Sequence, residues 1–331
     1  MSDAAPTSRE PVSVTILTGF LGSGKTTLLN HLLASDHGLK VGVIVNEFGA
    51  ISIDDKLIAN KTDDLIELAN GCICCTMAGD LLDALRRVLA SGRDIEHVLV
   101  ETTGLADPLP VAVTLRRDDL HDLVRLDGIV TVVDADRFDE NLEAAEVAYN
   151  QLANGDIILI NKVDLVRDDV PDLIERGIKT INPGARLFRC VNADVDPFVL
   201  LDVGLSTLNN RRAVADLSET PGHKHHHDLS DFETISYVSK APLDAMLFQQ
   251  FMDEMPVNII RAKGILNLAD RQGRFIFHAV GERCTVSEGD PWLPSESRAT
   301  ELVFIGRNLD RDHLLRSLQL CDATHRDART N

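Results

Sequence analysis

Val12-Ser13-Val14-Thr15-Ile16-Leu17-Thr18-Gly19-Phe20-Leu21-Gly22-Ser23-Gly24-Lys25-Thr26 is the stretch that decides the fold. Val12 to Leu17 is β-branched and apolar and reads as a buried strand. Gly19 to Thr26 then fits G-x-x-x-x-G-K-[ST] at every fixed position, and Thr26 to Leu33 reads as a helix. Strand, glycine loop and helix in that order predict a P-loop. Gly19, Gly22 and Gly24, with Ser23 between them, let backbone N–H groups turn inward around phosphates, and the helix N-terminus adds its dipole. Lys25 is placed to reach the β- and γ-phosphates, and the Thr26 hydroxyl to meet Mg2+. A chance glycine-rich turn lacks the flanking strand and helix.

Working outward, Leu39 to Val45 reads as a second strand and Leu65 to Leu68 as a short third. Leu81 to Leu89 is amphipathic at helical spacing, and His97 to Val100, Ile129 to Val133 and Ile157 to Ile160 are further short apolar runs. Strands alternating with helices predict an α/β fold of the P-loop NTPase kind, a mostly parallel sheet with helices on both faces.

Glu101 closes the run His97 to Val100 and opens Glu101-Thr102-Thr103-Gly104. A carboxylate there completes a Mg2+ site, directly or through water, and Gly104 lets a backbone N–H approach the γ-phosphate. Asp54 and Asp55, after the second strand, are candidates for contacting Mg2+ or positioning the attacking water.

Asn161-Lys162-Val163-Asp164 follows the run Ile157 to Ile160. A carboxylate at Asp164 accepts hydrogen bonds from guanine N1–H and the N2 amino group. Adenine offers neither and would leave the carboxylate unpaired. Asn161 is expected to support the opposite base edge, and the Lys162 stem to cover the ring. The bound nucleotide is therefore expected to be GTP. No counterpart of a water-orienting Gln and no arginine finger stands out, so hydrolysis is expected to be slow, below ~1 s⁻¹ for the unaided protein.

Three of the six cysteines crowd into Cys72-Ile73-Cys74-Cys75. Thiolates select soft or borderline metals such as Zn2+, Co2+ or Cu+. Cys72 and Cys74 share a side if the chain is extended there, while Cys75 points elsewhere unless it turns. Another ligand must come from afar, and Glu47 in Asn46-Glu47-Phe48-Gly49 is the candidate, with water as the alternative. Buried structural cysteines, a strained vicinal disulfide and a redox switch are the competing readings. Cys190, Cys284 and Cys321 are scattered and read as ordinary thiols.

Lys plus Arg is 33 against 52 Asp plus Glu, a net charge of -19, which argues against nonspecific nucleic-acid binding. No apolar run approaches the ~20 residues of a membrane span, and the N-terminus lacks a secretory h-region, so a cytoplasmic protein is expected. With 331 residues, two domains are expected. The expected layout is a disordered tail at 1–10, a GTPase domain at 11–210, a linker at 211–230, a second domain at 231–322 and a tail at 323–331. The linker is polar and holds His223-Lys224-His225-His226-His227, which either gathers metal ions or is simply solvated. Beyond it, Phe232 to Val238, Ile259 to Leu266, Phe275 to Val280 and Leu302 to Ile305 read as strands, and Leu243 to Met255 and Leu309 to Leu320 as helices. That mix predicts a smaller α+β domain.

Taken together, Gly19 to Thr27, Asn46-Glu47-Phe48-Gly49, Gly71-Cys72-Ile73-Cys74-Cys75, Glu101-Thr102-Thr103-Gly104 and Asn161-Lys162-Val163-Asp164 resemble the CobW-type GTPases, which group with the metallochaperone GTPases of hydrogenase and urease maturation. Thr300-Glu301-Leu302-Val303-Phe304-Ile305-Gly306 resembles their C-terminal domain, so the likeness spans about Pro11 to Leu320. The Gly-Cys-x-Cys-Cys element is its specific part. The resemblance implies a metal-dependent GTPase that delivers Zn2+ or Co2+ to a client protein; a monomer or homodimer is expected. It extends the nucleotide-binding set to Thr27. Some members carry a metal-binding Glu just before the Asn-Glu-Phe-Gly run, where this chain has Val45, so Glu47 comes from the residues alone. A P-loop phosphotransferase acting on a small molecule is one rival reading. A nucleotide-regulated scaffold that transfers no metal is the other.

Overall fold

A computed structural model describes residues 11–46, 65–68, 77–91, 94–144, 146–202, 232–294 and 296–323. Glu47, Asp54, Asp55, Cys72, Cys74, Cys75, both tails and the histidine-bearing linker lie outside these residues. Contacts divide the chain into two compact units, one within Pro11–Val203 and one within Gly204–Asn331.

The first unit runs β1 Val12–Thr18, α1 Lys25–Ala34, β2 Val41–Asn46, β3 Leu65–Leu68, α2 Met77–Ala90, β4 His97–Glu101, α3 Leu109–Leu115 and β5 Val124–Asp134. It continues with α4 Phe138–Ala144, α5 Glu146–Ala153, β6 Ile157–Asn161, α6 Val170–Ile181, β7 Arg186–Arg189 and α7 Pro197–Leu200. Its seven strands form one sheet in the order β3-β2-β4-β1-β5-β6-β7, with every neighbouring pair parallel. The expected α/β fold of the P-loop NTPase kind is the fold observed.

The sequence pattern explains the layering. In β1, β4 and β6 every residue is buried, as expected for strands covered on both faces. Val14, Ile16, Val98 and Val100 cluster with Leu81, Leu85 and Val88 of α2 and with Val111 and Leu115 of α3. On the same face, Val133, Ile158 and Ile160 cluster with Phe138 of α4, Leu152 of α5 and Ile174 and Ile178 of α6. Leu17, Leu99, Val132, Ile157 and Leu159 alternate with these, point to the opposite face, and are buried too.

The connections position the site. From β1 the chain moves outward to β2 and β3, returns to β4 on one side of β1, and then crosses to β5 on the other. The carboxyl end of β1 is therefore a topological switch point, where open α/β sheets bind ligands. Register places Leu17 beside Glu101, Thr18 beside Thr131, and Asp134 beside Asn161. The ends of four adjacent strands thus meet at one edge.

The second unit holds β8 Phe232–Ser239, α8 Ala245–Asp253, β9 Ile259–Leu266, β10 Phe275–Val280, β11 Arg283–Glu288, β12 Thr300–Arg307 and α9 Arg311–Leu320. Its sheet is antiparallel, in the order β11-β10-β9-β12-β8. Phe248 and Phe251 of α8 and Leu314 and Leu318 of α9 share a core with Phe277, Leu302 and Phe304. Asp244 caps α8, accepting from the backbone N–H groups of Met246 and Leu247 at 2.9 and 3.1 Å. This is the smaller α+β arrangement expected from the strand-rich pattern.

Candidate functional site

The P-loop turns on three glycines with positive φ, a backbone region that strains any residue with a Cβ. Gly19 has φ 137°, and a Cβ there would stand 2.1 Å from the Val132 carbonyl oxygen, so the loop is seated directly on β5. Gly24 has φ 112°, and a Cβ there would stand 2.4 Å from Asn161 Nδ2. Gly22, at φ 75°, faces open space. Lys25 is buried, and its amine donates to the carbonyls of Gly19 at 2.9 Å and Phe20 at 3.2 Å. A buried ammonium needs such acceptors, and here they hold it across the mouth of the loop. Thr27, one residue beyond, is exposed.

Thr26 and Glu101 meet. The Thr26 hydroxyl donates to Glu101 Oε1 at 3.1 Å, joining the first turn of α1 to the end of β4. Glu101 is buried, so this is an oxygen pair of the kind Mg2+ takes. Two further hydroxyls, Ser23 Oγ in the P-loop and Thr103 Oγ1 beyond Glu101, are buried without a protein hydrogen bond. Buried orphan hydroxyls are rare in folded proteins, and these two fit a polar ligand such as a phosphate chain with its cation.

The segment after β4 rests on the P-loop. Thr102 donates its backbone N–H to the Leu17 carbonyl at 2.9 Å and its hydroxyl to Thr18 Oγ1 at 3.0 Å. At Gly104 a Cβ would stand 2.6 Å from the Leu21 backbone nitrogen, so only glycine allows this approach.

Asn161 ties three loops together. Its Nδ2 donates to the Ser23 carbonyl at 2.8 Å, and its Oδ1 accepts from the Ala193 backbone N–H at 2.8 Å and the Cys190 thiol at 3.6 Å. Both ends of the amide therefore bond the protein. Asn192 and Ala193 have φ of 53° and 54°, a costly left-handed conformation for residues with a Cβ. The Asn161 bond to Ala193 helps to hold it. Nothing in the sequence marks this turn. Burial, with Asp194 nearby, pushes the Cys190 thiol up to about 12, so it stays protonated and donates.

Lys162 is also left-handed, at φ 62°, and its amine reaches Asp134 Oδ2 at 2.7 Å. Asp134 closes β5, is buried, and also accepts from the Asp136 N–H. It went unmarked in the sequence, because only the strand register brings it beside Asn161. Asp164 lies on a short 3-10 turn, Val163–Leu165, and is exposed. Among the described residues no cluster of three or more His, Cys, Asp or Glu side chains could hold a metal ion. The candidates Cys72, Cys74, Cys75, Glu47 and Asp54 fall outside those residues.

A glycine loop with a buried lysine, an acid at the end of the neighbouring strand and an Asn-Lys-x-Asp turn tied to the loop define a P-loop nucleotide-binding protein. Two family matches name its kind. The CobW/HypB/UreG nucleotide-binding domain matches residues 13–189, and the cobalamin synthesis protein cobW C-terminal domain matches residues 232–322. The chain belongs to the CobW/HypB/UreG family. It is 31% identical to the zinc chaperone CobW of Sinorhizobium sp, over 89% of this chain and 92% of that protein. It is 32% identical to the zinc chaperone YjiA of Escherichia coli, over 92% of this chain and 96% of that one. The zinc-regulated GTPase metalloprotein activator 1 of Dictyostelium discoideum is 30% identical, over 93% and 79%.

Proposed function

We propose that this chain binds GTP with Mg2+, hydrolyses it slowly, and uses the cycle to hold and release Zn2+ or Co2+ for a client metalloprotein. The observation that carries the nucleotide half is the Asn161 amide bonded to the Ser23 carbonyl, which fixes the guanine turn to the phosphate loop. In this reading Gly19, Gly22, Ser23, Gly24 and Thr27 cradle the phosphates, and Lys25 compensates their charge. Thr26 and Glu101 hold Mg2+, which would neutralise developing charge on the phosphate oxygens. Gly104 faces the γ-phosphate, Asp54 orients the attacking water, and Asp164 reads guanine. Asn161 and Lys162 shape the base pocket through Ala193 and Asp134.

The metal half rests on Cys72, Cys74, Cys75 and Glu47 as thiolate and carboxylate ligands for the cargo ion. The relatives named as zinc chaperones support zinc. Chain position supports coupling to the nucleotide. β2 and β3 run parallel to β1's neighbour β4, so their carboxyl ends face the edge that carries the P-loop. The segments bearing Glu47 and the cysteines depart from those ends. We place the protein in the cytoplasm, as a monomer or homodimer, with no nucleic-acid partner. No described helix is long and apolar enough to cross a membrane.

Nucleotide choice tests the first half. Asp164→Asn exchanges an acceptor for a donor, so GTP binding should weaken about 10- to 100-fold while xanthosine triphosphate, which carries an oxygen at that edge, should gain. Calorimetric titration reads both. Unchanged GTP affinity together with no gain for the xanthine nucleotide would remove Asp164 from the site.

A further inference from the structure

Gln151 sits near the end of α5, 1% exposed, in surroundings where a leucine would pack. Its side-chain amide donates to two backbone carbonyls from a distant segment, Ala106 at 3.0 Å and Gly104 at 3.3 Å. Its backbone carbonyl accepts from the Thr131 hydroxyl of β5 at 2.8 Å, which fixes the residue to the central sheet. The preceding residue joins in: Asn150 Nδ2 donates to the Asp107 carboxylate at 3.0 Å. The segment 104–107 is therefore held by α5 at three points. On its other side it has no slack, because Gly104 already abuts the Leu21 backbone of the P-loop. Within the segment the Ala106 N–H closes a turn onto the Thr103 carbonyl at 3.0 Å.

A buried amide is expensive unless its polar atoms are matched, and this one is matched to carbonyls that a turn leaves without strand partners. A packing residue would not need two donors aimed at one loop. We propose that Gln151 is the positioning residue of the γ-phosphate contact, setting how closely Gly104 approaches the P-loop and hence the geometry for hydrolysis. It acts on the transition state through the backbone and touches no substrate. This rests on the reading above that Gly104 faces the γ-phosphate. GDP lacks that phosphate, so its binding should not depend on Gln151.

Gln151→Met keeps the volume and removes both donors. In the purified full chain, GDP affinity should stay within about twofold, binding of a non-hydrolysable GTP analogue should weaken several-fold, and kcat should fall about tenfold or more. Gln151→Asn, one methylene short of the carbonyls, should shift the same three quantities in the same order by less, and serves if the Met variant does not fold. Equal weakening of GDP and analogue, or an unchanged kcat in a folded variant, would overturn the proposal and leave Gln151 a packing residue. Gly104→Ala separates the two layers. If it lowers the analogue-to-GDP affinity ratio and the Gln151 variants do not, only Gln151's role fails. If Gly104→Ala leaves the ratio unchanged, the γ-phosphate reading fails and the proposal falls with it.

Discussion

His37 is buried in the turn after α1, and the Leu39 backbone N–H donates to its Nδ1 at 3.1 Å. Burial lowers its pKa below the usual 6.5, against opposing contributions from the Leu32 backbone and Asp36. The folded state therefore binds protons less readily than the unfolded chain. The stability this neutral histidine contributes is complete above pH 6.5 and is lost as pH falls through the depressed folded value. Urea denaturation between pH 7.5 and 5 should show a smaller loss of stability for His37→Gln than for the wild type; an equal loss in both would contradict this. At the same scale Asn161 shows how far a motif can be read. Its place in the guanine turn was legible, but its work as a tie was not, because Ser23 and Ala193 lie 138 and 32 residues away. Asp134 and Gln151 were invisible for the same reason: each acts on a residue that only the fold brings near.

Elements were legible where burial is two-sided. β1, β4 and β6 are mostly apolar, with every residue buried, and each sits inside the sheet with both faces covered. β7, Arg186–Arg189, and β11, Arg283–Glu288, each lie at one edge of a sheet and are rich in polar residues, so they give no such signal, whereas the opposite edges, β3 and β8, carry enough apolar residues to be read. The antiparallel unit is different again, since its core depends on a few aromatics meeting across elements. Phe277 of β10 meets Phe248 of α8 edge-on at 5.3 Å, and Phe304 of β12 meets Phe251 at 6.0 Å. Phe277 is fully buried, so Phe277→Ala should destabilise the chain by about 3–5 kcal/mol, read by urea denaturation. A loss under ~1 kcal/mol would mean that this cluster does not hold the unit together.

At the scale of the whole molecule, one sheet edge gathers the nucleotide residues, and the chain segments carrying Glu47 and the cysteines leave from strands ending at that edge. The net charge of -19 attracts cations weakly everywhere, so in the proposed function cargo selectivity rests on the thiolates rather than on the overall field. The proposed coupling of nucleotide state to metal affinity is a free energy, and equilibrium binding measures it directly. The decisive measurement is the Zn2+ dissociation constant of the purified chain saturated with Mg2+ and either a non-hydrolysable GTP analogue or GDP, with Cys74→Ser as control. Such coupling predicts Zn2+ binding at least about fivefold tighter with the analogue, and loss of that difference in Cys74→Ser. Equal affinity in the two nucleotide states of the wild-type chain would contradict it.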